Sequence, residues 1–261
     1  MKILGSMFGS DGNLGVAVFA CLVAAAAASQ FAMAADASPE PAMAMPMPAA
    51  SAKSPYPAMA PIAQYHETSD AREIALAKSA APASISDKAE IKVLGTHGYE
   101  TAVKGTNGFV CMVGRSWAMS FDNPEFWNPK IRTPICMNAA SVKDSSVLPL
   151  YLTRTEWVLA GVSVAEMQKR ETAEWKDGKF TAPGPDDVTY MMSKDQYIND
   201  QAHPWHPHVM FYASRADKGT WGENLASSPV QADCHNVEQT CIFMVLVQNW
   251  SDGTTAPPLD D

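Results

Sequence analysis

Residues 90–115 read EIKVLGTHGYETAVKGTNGFVCMVGR. Three β-type runs, 90–95, 99–105 and 109–115, are separated by Gly95 and Gly98 and then by Gly105-Thr106-Asn107-Gly108. Asn and Gly tolerate the positive φ of tight hairpin turns, so runs joined this way predict an antiparallel meander. Three more β-type runs lie far downstream: VTYMMS (188–193), HVMFYAS (208–214) and CIFMVLVQ (241–248).

Helical patterns sit between and before these strands. In SDAREIALAKSAAP (69–82), Asp70 is a candidate cap with Glu73 three residues on, and Pro82 is a stop. LPLYLTRTEWVLAG (148–161) predicts a helix ended by Gly161, and SVAEMQKRETAEWKDG (163–178) a second. Ser163 and Glu166 have capping-box spacing, and Val164, Met167 and Trp175 give only a loose apolar stripe, which predicts a surface helix. The stretch SFDNPEFWNPKIRTPICMN (120–138) carries Pro124, Pro129 and Pro134 and is expected to wrap over the sheet rather than join it. Helix, strands, helices, strands, without regular alternation, predicts one α+β domain with a mostly antiparallel sheet and a few short helices packed on it.

The ends of the chain differ in composition. Lys2, the uncharged apolar run 15–28 and Ala32-x-Ala34 predict an export signal over residues 1–34. Residues 35–64 are dominated by Ala, Pro, Met and Ser, with too few bulky side chains for a core, and predict a disordered tether. The globular domain is expected over 65–248, followed by a tail at 249–261. No later apolar run approaches a membrane span. The localisation expected is therefore exported, periplasmic or extracellular, with no membrane span after signal cleavage.

The net charge of −9 argues against nucleic acid as a partner. Beyond Cys21 of the signal, four cysteines remain: Cys111, Cys136, Cys234 and Cys241. In an oxidising compartment an even number predicts two disulfides, and of the three possible pairings the spacings favour Cys111–Cys136 and Cys234–Cys241. No C-x-x-C occurs.

Catalytic signatures are missing: no H-E-x-x-H, phosphate loop or G-x-G-x-x-G is present. GRSWA (114–118) approaches the nucleophile elbow G-x-S-x-G, but no helix can follow before Asn123-Pro124, so Ser116 is read as a loop serine. Asp186, Asp187, Asp195 and Asp200 are read as loop-solvating acids.

The segment HPWHPH (203–208) holds three of the six histidines. Pro204 and Pro207 favour a polyproline step that hands over to a strand near His206. Period two then places His206, His208, Met210 and Tyr212 on one face. His203, His206 and His208 are thus a candidate metal set, with Met210 or His235 as a fourth ligand and His66 and His97 as weaker candidates. Imidazoles with water suit zinc, and imidazoles with a thioether suit copper. The structural alternative is a packing plug built by Trp205, Pro204 and Pro207 around hydrogen-bonded imidazoles. Met43, Met45, Met47 and Met59 would suit Cu(I) only beside another copper site.

The strings GTNGFVCMVGRSW, DNPEFWNPKIRTPICMN, YMMSKDQYI and WHPHVMFY are similar to those of an exported bacterial protein family of unknown function, from about Asp70 to the C-terminus. That resemblance implies export and a shared single domain, and transfers no activity. Three functions follow as expectations. One is an exported protein binding a metal or small ligand through HPWHPH. Another is a metal-dependent hydrolase using the same imidazoles. The third is an envelope interaction protein presenting the aromatic loop 121–127.

Overall fold

The computed structural model describes residues 54–201, 204–234 and 240–258. Among them, eight strands form one sheet in the order β2-β1-β3-β4-β5-β6-β8-β7. The strands are β1 (Glu90–Leu94), β2 (Tyr99–Val103), β3 (Val110–Gly114), β4 (Thr133–Met137), β5 (Val188–Met191), β6 (His208–Ser214), β7 (Val230–Cys234) and β8 (Thr240–Leu246). All neighbours are antiparallel except β1 and β3, which run parallel. The helices are α1 (Asp70–Lys78), α2 (Ala83–Ser86), α3 (Ala139–Lys143), α4 (Val147–Leu159) and α5 (Val164–Lys176). The fold is α+β with a mostly antiparallel sheet.

The meander expected over 90–115 is corrected. β2 pairs with β1 as a hairpin, but β3 lies on the other side of β1. Burial explains the order. β2 is exposed along its middle, as an edge strand can be, whereas every residue of β3 is buried. In β3, Val110 and Met112 face one apolar cluster while Cys111 and Val113 face another, which requires a central position covered on both sides.

The segment 120–138 also departs from expectation, because its end joins the sheet as β4. Pro134 is tolerated there because the ladder with β5 is registered only at Cys136 and Met137. Both disulfides link residues directly opposite on paired strands, Cys111 with Cys136 and Cys234 with Cys241.

Helix ends follow local chemistry. Ser69, not Asp70, caps α1, its Oγ accepting from the Arg72 N–H at 3.3 Å. Ser163 caps α5 by accepting from Glu166 N–H, but the Glu166 side chain pairs with Arg170 rather than closing a box. Pro149 falls in the first turn of α4, where its missing N–H costs no helical bond. Gly161 follows α4 at φ +72°, the left-handed position that glycine takes at helix ends.

α1 and α2 lie against the face carrying Ile91, Cys111, Val113 and Cys136. α3 and α4 lie against the opposite face, where Met112, Ile135 and Met137 join Met191, Met210 and Met244. α5 lies on the surface, as its loose apolar stripe predicts, but two of its side chains anchor it. Met167 and Glu171 are fully buried, and Glu171 makes a two-pronged ion pair with Arg154 of α4, both bonds at 2.6 Å.

Both ends of the described body make tertiary contacts. Tyr56 donates its hydroxyl to Asp200 at 2.6 Å, and Met59 and Ala60 pack against the cluster of Tyr65, Trp117 and Phe126. Met59 is thus a packing residue. In the tail, Trp250 and Ala256 are buried and the Ser251 N–H donates to the Met192 carbonyl at 2.9 Å. The expected signal segment and Met43, Met45 and Met47 lie outside the described residues. No described helix is long and apolar enough to cross a membrane.

Candidate functional site

β6 and its neighbours set out the site by register. Met191 of β5 stands opposite His208, and Met244 of β8 stands opposite Met210. Directly opposed residues share a sheet face, as do residues two apart on one strand, so His208, Met210, Met191 and Met244 point the same way. That face is one wall of a cavity of about 170 Å³. Tyr151 of α4 and the segment holding Ala118, Met119, Ser120 and Asn123 form the opposite wall, and Ile198, Ile242 and Asp233 complete it. Half-exposed Met119, Ser120, Asn123 and Asp233 mark where it opens. A second cavity of about 80 Å³ adjoins it across Ala118, Tyr151 and Ile242.

His208 is the polar centre of an otherwise apolar wall. It is 1% exposed, and its Nδ1 lies 2.8 Å from the His206 carbonyl oxygen. A carbonyl only accepts, so Nδ1 carries the proton and Nε2 is left with a bare lone pair. Nε2 makes no hydrogen bond among the described residues, and the ring lines the cavity. Burial pushes the imidazole down to about 4, so the ring is neutral at neutral pH. Trp205 packs its edge on the His208 ring at 4.7 Å between centroids and is itself buried. Gln196 Nε2 donates to the Trp205 carbonyl at 2.6 Å, fixing the backbone of the segment.

The opposite wall is held in place from behind. Besides Glu171, Arg154 donates to the carbonyls of Ala118 at 3.2 Å and Met119 at 3.0 Å, and its guanidinium lies over the Phe121 ring. Arg115 also lines the cavity and is paired with Glu73 at 2.9 Å. Burial pushes the Tyr151 phenol up to about 12, which keeps it a neutral donor.

Of the expected imidazole set His203, His206, His208 and His235, the described residues include His206 and His208. His203 and His235 lie outside them. His206 lines a different depression, with Leu246, Val247 and Gln248, because the strand begins only at His208 and period two does not reach back to His206. His66 and His97 do not line the His208 cavity; the His66 carbonyl accepts from Arg132 and His97 is exposed in the β1–β2 turn. Among the described residues no group of three or more His, Cys, Asp or Glu could hold a metal ion. Met210 does share the cavity with His208.

Other candidate residues have structural partners. Asp187 is buried and accepts from Ser145 Oγ at 2.6 Å and the Gly184 N–H at 2.8 Å. Asp200 accepts from Tyr56, Lys130, Tyr197 and Asn128. Burial alone would raise its carboxyl, but those four donors hold it well below the usual carboxylate range. The aromatic loop 121–127 turns inward, with Phe126 buried between Phe121 and Trp127. Ser116 is fully buried inside a short 3₁₀ turn.

Sequence reasoning missed Met191, Met244, Tyr151 and Met119. The alternation in 188–193 and 241–248 holds the signal for the first two, but only the register puts them beside His208. Comparison of the chain with protein-family models, with curated proteins and with solved structures gives no match.

Proposed function

We propose that this chain is an exported binding protein that holds a small guest in the His208 cavity. The observation that carries this reading is the buried imidazole: the His206 carbonyl fixes its tautomer, which leaves Nε2 as the acceptor nitrogen, and His208 lines a largely apolar cavity. Size limits the guest. At about 170 Å³ the cavity suits an ion or a small molecule near benzene in size better than a drug-sized ligand.

Export is supported by the N-terminal sequence pattern and by two disulfides, which persist in oxidising compartments. A hydrolase would need further groups to activate water beside His208, and nothing in the cavity favours that role over binding.

The test is native mass spectrometry with elemental analysis on untagged protein recovered after export, beside an Ala118→Phe variant that fills the cavity. Wild type is expected to carry a guest or to gain thermal stability from a small-guest panel. The filled variant is expected to do neither. Wild type that takes up nothing, or a filled variant that binds as wild type does, rejects the reading.

A further inference from the structure

We propose that the guest is a copper(I) ion, ligated by Nε2 of His208 and the thioether sulfurs of Met191, Met210 and Met244. This deepens the binding reading and rests on it.

Three observations converge. The first is ligand softness. The cavity concentrates four methionines, those three and Met119 on the facing wall, around one imidazole. Thioethers bind hard cations poorly and bind Cu(I) well, and imidazole suits copper too. Met191, Met210 and Met244 stand on adjoining strands in register around one histidine, in a core cluster that also holds Met112 and Met137.

The second is the state of the imidazole. A metal-bound histidine ordinarily donates its other ring N–H to a carbonyl or carboxylate, which fixes the ring and raises the basicity of the ligating nitrogen. The Nδ1 bond to the His206 carbonyl supplies that arrangement, and Trp205 holds the ring from the side.

The third is charge. Cu(I) carries a single positive charge and accepts neutral ligands, so an apolar site can hold it. A zinc site of neutral thioethers would leave two charges uncompensated in the same space. Of the charged groups lining the cavity, Arg115 is paired with Glu73 at 2.9 Å, so its charge is compensated beside the site. The copper enters already reduced, and no electron transfer is part of the proposal.

The experiment is an anaerobic titration of the untagged exported chain with Cu(I), in competition with a chromophoric Cu(I) chelator, with copper X-ray absorption on the loaded protein. One equivalent is expected in a shell containing both nitrogen and sulfur. Met191→Leu and Met210→Leu conserve volume and should fold; each is expected to weaken binding at least tenfold, and the pair at least a hundredfold. Circular dichroism checks the fold of each variant.

Copper lost on Met43→Leu, Met45→Leu and Met47→Leu but retained in the Met191/Met210 pair would place the metal on the N-terminal segment and overturn the assignment. Zinc binding with equal affinity in the same cavity would overturn the choice of metal. Stabilisation by benzene-sized organic guests, abolished by Ala118→Phe, with no copper uptake, overturns copper and leaves the binding reading standing. Uptake of neither overturns both.

Discussion

Nδ1 of His208 sits 2.8 Å from the carbonyl oxygen of His206, two residues away, and this short contact fixes both the tautomer and the direction of a fully buried imidazole. It also separates the two histidines in role, since only the ring of His208 reaches the methionine-lined cavity.

The first prediction concerns acid stability of the metal-free protein. Burial lowers the His208 pKa to about 4, against about 6.5 in an unfolded chain, so between those values the unfolded state binds the extra proton. Stability is therefore complete above about pH 6.5 and falls as pH drops towards 4, by about 3 kcal/mol for this group. Urea unfolding at pH 7.5, 5.5 and 4.5 in the presence of a chelator measures it. The slope over this window is expected to flatten in His208→Gln, and an unchanged slope removes His208 as its source.

A second prediction follows from Glu73 and Arg115, 42 positions apart and joined at 2.9 Å with both side chains buried. Arg115 also donates to the carbonyls of Tyr65 and Val113, and Glu73 accepts from the Leu94 N–H. Removing the carboxylate strands a buried cation, so Glu73→Ala should cost about 3–5 kcal/mol. Arg115→Met in the same chain should recover part of that loss. Denaturant midpoints of the two variants against wild type decide it; a double variant no more stable than Glu73→Ala speaks against a stranded charge.

These partners show where sequence reading stops. α4 and α5 were legible because caps, periodicity and Gly161 agree locally. The two disulfides were legible because loop closure is a property of spacing. Glu73 and Glu171 looked like cap and surface acids, because nothing local reveals an arginine that reaches them across the fold. β4 was hidden by Pro134, whose tolerance depends on how far β5 pairs alongside. The β2-β1-β3 order was hidden because turns specify that strands are close in sequence, not on which edge the next one docks. The cavity was half visible: the face of His208 and Met210 follows from period two, whereas Met191 and Met244 enter only through register.

The third prediction links the Arg154–Glu171 pair to the cavity wall. Arg154 holds the carbonyls of Ala118 and Met119 as well as Glu171. Glu171→Gln is expected to destabilise the chain by roughly 3 kcal/mol and to loosen the wall. Hydrogen exchange at residues 118–121 should speed up more than exchange in β3 or β4. Uniform acceleration across the domain would mean that the pair stabilises the whole fold without positioning this wall.

The last prediction ranks the two disulfides. Each joins residues already opposite on paired strands, so reduction leaves the ladder in place and acts mainly by freeing the unfolded chain. Loop entropy grows with the length closed: for a sequence separation of 25 at Cys111–Cys136 it is about 3–4 kcal/mol, and for a separation of 7 at Cys234–Cys241 about 2–3 kcal/mol. Cys111 and Cys136 are also fully buried in the cluster under α1, whereas Cys234 is half-exposed beside the sheet edge. Cys111→Ala with Cys136→Ala therefore adds two small core voids to the entropic loss, and the gap between the pairs widens. Thermal unfolding of the two double variants should show the larger fall for the Cys111–Cys136 pair, about 10 °C or more for a chain of this size. An equal or reversed ranking would mean that β7, the edge strand clipped to β8 by Cys234–Cys241, depends on its covalent link more than loop length implies.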